Sequence, residues 1–144
     1  MRLVRISIVL ILVLSAGAAH ARNDHLLLPI AEALATPAAK EKLNPRIKLI
    51  FGKRPAGAKS IGRWSTSKKT NSFGKSDKTA CEWAFLSAMI TLQARAEKEG
   101  GNAVVGIESV YKRIVTASET EYMCGAGAMV AGVSFGGEVV NLAP

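Results

Sequence analysis

Cys81 and Cys124, 43 residues apart, are the only cysteines in a chain of 144 residues. An even pair in a small domain most simply means one disulfide. A rival chemistry starts from the same position. Cys81 falls in the first turn of an expected helix, where backbone amides lower a thiol's pKa and would leave a reactive thiolate. No C-x-x-C partner accompanies it, so the bridge leads and a thiol-redox protein using Cys81 is the alternative.

Other catalytic or metal chemistry has few candidates. Beyond residue 21 the chain holds one histidine, His25, and the soft donors Met89, Met123 and Met129. A zinc site normally takes four ligands at paired spacings, and neither C-x-x-C nor H-x-x-x-H occurs, so no metal or other cofactor is expected. A hydrolytic triad would have to use His25, near a frayed terminus, and Glu119 with Glu121 reads as a solvated edge beside a hairpin loop rather than a catalytic carboxylate pair. No catalytic residue is assigned, and an enzyme is not expected.

Charge is the stronger surface feature. Residues 40–78 hold twelve Lys or Arg against Glu41 and Asp77, whereas residues 79–144 hold four against seven glutamates. Within the basic segment Lys68, Lys69, Lys75 and Lys78 are interleaved with Trp64 and Phe73, a mixture of cations and aromatic rings suited to a polyanion. The plainer reading is a solvated loop without a specific partner.

Which polyanion depends on the compartment. Arg2 and Arg5 precede an apolar stretch over residues 6–19, and Ala19-His20-Ala21 supplies an A-x-A cleavage site, so residues 1–21 read as a cleavable export signal. The apolar run is shorter than the roughly 20 residues a spanning helix needs. Processing would leave 123 residues carrying +6, with no later membrane-spanning stretch, in the periplasm or outside the cell. There the available polyanions are lipopolysaccharide, anionic lipid and cell-wall polymers; nucleic acid would matter only without export.

The elements positioning these residues follow from periodicity. Residues 22–44 read as a helical lead-in, with a short second helix starting at Pro37 under a Thr36 cap. Residues 45–144 read as a single α+β domain. Ile47, Leu49 and Phe51 alternate as a strand, a weaker strand surrounds Ile61 and Trp64, and the basic loop spans about 52–78, its polar part over residues 65–78. Thr79 and Glu82 form a T-x-x-E capping box for a long helix over residues 78–99, apolar around most of its middle, ending at Gly100. Residues 102–111 alternate as a strand with Ala103, Val105, Ile107 and Tyr111 on one face. Residues 122–135 read as a long strand, and Gly136-Gly137 as a hairpin turn into a last strand. Glycines 125, 127 and 132 would weaken that strand unless the helix, or a ligand, needs close backbone approach. The expected fold is therefore one long helix packed on a small, mainly antiparallel sheet in the order strand(s), helix, three-strand meander.

Ala94-Arg95-Ala96, Gly101-Asn102-Ala103-Val104-Val105-Gly106-Ile107 and Glu121-Tyr122-Met123-Cys124-Gly125-Ala126-Gly127-Ala128 resemble the small YbjQ-type domain, a family labelled heavy-metal-binding, and the related domain of the Rcs outer-membrane stress-sensor lipoprotein. The resemblance covers about a third of residues 22–144 and implies a helix packed on a small sheet. The sensor's lipid-attachment cysteine has no counterpart, so tethering and signalling are not carried over. The whole chain, including residues 71–77 and 81–83, also resembles exported proteins labelled as an excinuclease ATPase subunit. Gly74-Lys75-Ser76 matches only the tail of a phosphate-binding loop, and its first glycine position is Lys69, so no nucleotide is expected.

The function expected from these readings is a non-enzymatic periplasmic binding or envelope-maintenance module whose basic loop contacts an acidic envelope component or protein. Thiol-redox chemistry at Cys81 and nucleic-acid binding are the alternatives.

Overall fold

Ser76 starts the longest helix. Its Oγ accepts the Thr79 N–H at 3.1 Å, satisfying a first-turn donor that has no partner within the helix. From there Ala80, Cys81, Ala84, Phe85, Ala88, Met89, Leu92 and Ala96 recur three or four residues apart, and all are buried. The expected box of Thr79 and Glu82 is thus displaced by three residues, because Ser76 comes first and Thr79 is already inside the helix.

The computed structural model describes residues 22–144; the expected export signal, residues 1–21, lies outside them. The elements run β1 (Asp24–Pro29), α1 (Ile30–Ala35), α2 (Pro37–Lys42), β2 (Lys48–Phe51), β3 (Lys59–Asn71), α3 (Asp77–Lys98), β4 (Ala103–Ser109), β5 (Glu121–Ala126) and β6 (Val130–Asn141), with a tight turn at Tyr111–Arg113. The fold is α+β, with a mixed, mostly antiparallel sheet. It departs from the expected form: three helices accompany a six-stranded, curled half-barrel rather than one helix on a small sheet.

The long last strand organises the sheet. One edge of β6 pairs along its length with β3, from Asn71↔Val130 to Lys59↔Asn141. Its other edge meets β5 at Gly125↔Gly132 and then β4 from Ser109↔Phe135 to Ala103↔Val140. β1 extends the sheet antiparallel to β5, and β2 runs parallel to β4. The last three strands therefore form no simple meander: β6 lies between β3 and both β4 and β5.

Several local expectations change for identifiable reasons. Residues 24–29, expected as helix, form β1, where Leu26 and Leu28 pack on the core. Much of the expected basic loop is β3, thirteen residues long and held by β6. Gly136 and Gly137 lie inside β6 instead of turning it, held extended by pairing with Ser65 and Trp64 of β3, and a Cβ on Gly137 would stand 2.6 Å from Val104 Cγ1. Gly106 has φ +57 and donates its N–H to the Lys53 carbonyl at 2.8 Å, creating a bulge in β4. Val104 and Ile107 consequently join the main core, while Ala103 and Val105 belong to a smaller cluster with Ala58 and Val140.

The core sits between the sheet and α3. Phe85 stacks on Phe51 at 5.9 Å between ring centres, and meets Tyr122 at 4.7 Å and Phe135 at 5.7 Å. Cys81 and Cys124 form the expected disulfide, fully buried, between the first turn of α3 and β5. Beneath the other end of α3, the buried Gln93 amide donates to the carbonyls of Asn44 at 3.0 Å and Ile47 at 2.8 Å, and its oxygen accepts the Asn44 N–H at 2.8 Å. The expected Thr36 cap also forms, accepting the Ala39 N–H at 3.2 Å.

Candidate functional site: a basic cleft over a glycine floor

Alternation along β3 separates the lysines that are adjacent in sequence. Trp64, Thr66, Lys68 and Thr70 turn toward the α3 side, whereas Arg63, Ser67 and Lys69 turn to the opposite face. Trp64 packs half-buried against the core with the Arg95 guanidinium 5.6 Å from its ring centre, so its face is not open to a stacked base. Lys75 lies in the turn after β3 and donates to the Asn71 carbonyl at 2.7 Å. Lys78, in the first turn of α3, is paired with Glu32, and this hydrogen bond raises its pKa. The five residues singled out for polyanion binding are therefore spread over two faces, a turn and a helix; Lys69 is the one whose side chain turns to a cleft on the face opposite α3, which Lys68 also borders, its carbonyl facing Gly132.

That cleft, about 330 Å³, has a floor of small residues. Gly125 and Gly132 pair across β5 and β6, and Ser67 faces Ser134 across β3 and β6 with their Oγ atoms 2.7 Å apart. Lys69 crosses Gly132 closely enough that a Cβ there would meet Lys69 Cγ at 3.3 Å. On the other side Tyr111 lies over Gly125, edge-on to His25 at 5.3 Å, with Lys112 Nζ 5.7 Å from the Tyr111 ring centre.

A constrained backbone presents that wall. Lys112 and Arg113 have φ values of 47 and 66, a left-handed conformation costing roughly 1–2 kcal/mol per residue outside glycine. The loop is clipped at its base, where Ser109 and Thr116 exchange backbone hydrogen bonds at 3.0 and 2.8 Å, and Val110 N–H binds the Ser134 carbonyl at 2.9 Å. With the Ile114 N–H bound to the Tyr111 carbonyl at 2.9 Å, the two left-handed residues make a type I′ hairpin turn, formed here without the usual glycine or asparagine.

The cleft's cations are opposed at one end only. Arg22, at one end, is held by Asp77 at 2.7 and 2.8 Å and Asp24 at 2.9 Å; those hydrogen bonds raise the Arg22 pKa and lower that of Asp77. Lys69 and Lys112 have no carboxylate partner among the described residues. The donors gathered here are thus two ammonium groups, the one serine hydroxyl hydrogen left over by the Ser67–Ser134 bond, and the Tyr111 hydroxyl, which otherwise makes a long bond to Asn23 Oδ1 at 3.4 Å, an array suited to oxyanions. Neither serine is hydrogen-bonded to an imidazole or carboxylate, the partner that activates a hydroxyl nucleophile.

Among the described residues no three or more His, Cys, Asp or Glu side chains gather as a potential metal site, and no helix is long and apolar enough to cross a membrane. His25, expected near a frayed end, is in β1 and packs on Tyr111. Lys68, Lys69 and the glycines at 125, 127 and 132 are the parts of this cleft that the sequence flagged; Tyr111, Lys112, Ser67 and Ser134 were not. Their only common signal is the sheet register, which the sequence does not print. No family model, curated protein or solved structure matches the chain.

Proposed function

We propose that this protein is a non-enzymatic binding module of the periplasm or cell exterior, whose Lys69–Lys112 cleft receives an anionic component of the envelope. The observation carrying this reading is the pair of lysines without a carboxylate partner among the described residues over the Gly125–Gly132 floor, with the Ser67–Ser134 hydroxyl pair and the Tyr111 hydroxyl between them. The buried Cys81–Cys124 bond supports an oxidising compartment, as does the export signal read over residues 1–21. The likeness to the YbjQ-type domain belongs to the same proposal.

The alternatives draw less from the structure. Both sulfurs of the disulfide are fully buried, giving an external thiol no direct approach, and Trp64 is covered on the side where a base would stack. The test is calorimetric titration of the protein with soluble inorganic polyphosphate at low and high salt. Affinity should fall steeply with salt, and Lys69→Glu or Lys112→Glu should each weaken binding about tenfold or more. Salt-independent binding, no binding, or indifference to both reversals overturns the reading.

A further inference from the structure

Two turns meet at one end of the β3–β6 pair, and each exposes a large apolar side chain. Phe73 is 80% exposed and Met129 73%, with Val130 beside them at 47%. Together with Lys69, Thr70 and Asn71 they border a hollow of about 540 Å³, adjoining the basic cleft through Lys69 and Val130. The turns are joined to each other: Ser72 N–H binds the Met129 carbonyl at 3.0 Å, and Ser72 Oγ donates to the Gly127 carbonyl at 3.0 Å. Gly127 N–H closes its own turn on the Val130 carbonyl at 2.9 Å.

Nothing in the fold needs Phe73 or Met129 to be apolar, since both stand clear of the core. Lys69 and Lys75 flank them, and the nearest carboxylate in sequence, Asp77, is held by Arg22. A projecting apolar tip with cations behind it matches the layered chemistry of an anionic bilayer, in which acyl chains lie beneath phosphate. A stable protein partner usually buries about 800 Å² on each side, far more than three side chains supply. The shared backbone hydrogen bonds also hold the tip in place before contact, limiting the ordering cost of docking.

We propose that this end of the molecule docks on an anionic phospholipid surface, with Phe73 and Met129 entering the boundary between headgroups and acyl chains. Lys69 and Lys75 lie at phosphate level, and the cleft takes a headgroup phosphate. This assignment rests on the anion-binding reading above and gives the ligand an apolar part.

Co-sedimentation with vesicles of phosphatidylglycerol and phosphatidylethanolamine, against vesicles of phosphatidylcholine alone, tests it. The protein should bind the first and not the second. Phe73→Ser with Met129→Ser should lower partition by about tenfold or more, the scale of withdrawing one phenylalanine from burial, while leaving polyphosphate affinity unchanged. Lys69→Glu with Lys75→Glu should weaken both. Circular dichroism confirms that the variants, altered only at exposed positions, are folded. Unchanged vesicle binding by the serine variant overturns the docking proposal, as does polyphosphate binding without vesicle binding; in both cases the anion-binding reading survives. Binding to neither probe removes both proposals.

Discussion

Tyr111 stands over Gly125 so closely that a Cβ on Gly125 would fall 1.9 Å from its hydroxyl oxygen and 2.3 Å from Cζ. The ring can yield only by swinging out of the cleft and leaving the edge of His25. Gly125→Ala should therefore cost about 1 kcal/mol and weaken polyphosphate binding. Adding Tyr111→Ala should recover much of the stability and none of the binding. A double-mutant cycle by urea unfolding checks the coupling, and strictly additive losses would contradict it.

Removal of the disulfide should be expensive. Replacing Cys81 and Cys124 with alanine opens a 43-residue loop, which the chain-entropy model values at about 4 kcal/mol. Urea midpoints of the two proteins measure the loss. Both sulfurs are buried, so in the native protein they should resist reductant and alkylating agent, and should react together only once the chain is unfolded. Rapid labelling of Cys81 alone in native protein would instead favour the thiol-redox alternative.

Ser76→Ala should destabilise the protein by about 1 kcal/mol through loss of the α3 cap. Glu82→Ala should cost less, because the cap does not use it. The reverse order in denaturant melts would restore the Thr79–Glu82 box.

Gln93 is buried and makes three hydrogen bonds to the backbone before β2. Gln93→Leu keeps the apolar volume and strands two carbonyls and an amide, so a loss of about 3 kcal/mol is expected in urea unfolding. A neutral outcome would mean that water replaces the amide.

Glu138 receives hydrogen bonds from Arg54 at 2.9 and 3.2 Å, which hold its carboxyl below the ordinary value of 4.5. A depressed folded pKa contributes its full stability above the unfolded value and loses it as pH falls through the folded one. The Glu138→Gln protein should thus show a shallower loss of stability below pH 4.5 than the parent. Parallel urea titrations across the acid range measure the two slopes.

What the sequence made legible was mostly what is local. The 22-residue α3 declares itself by spacing, and Thr36 with Pro37 marks the start of α2. The cysteine pairing was also readable, because only one partner existed for each. In contrast, Leu26-Leu27-Leu28 has no period that separates strand from helix, and its partner in β5 is remote in sequence. Residues 65–71 look like a polar loop because their outward side chains are Ser, Lys and Asn; β6 supplies the missing reason for extension. The cleft was hidden for the same cause. Lys69, Tyr111, Lys112 and Ser134 belong to separate segments, and only the register through Gly125↔Gly132 and Ser67↔Ser134 makes them neighbours.

The position of β6 also constrains how the chain can assemble during synthesis. Before residues 130–141 emerge from a ribosome, β1 can find β5 and β2 can find β4, but no strand joins those pairs to each other or to β3. Thirteen residues of β3 must wait without a partner across the making of α3, β4 and β5. Closure of the sheet is therefore a late event, which waits on the strand that alone pairs with three others.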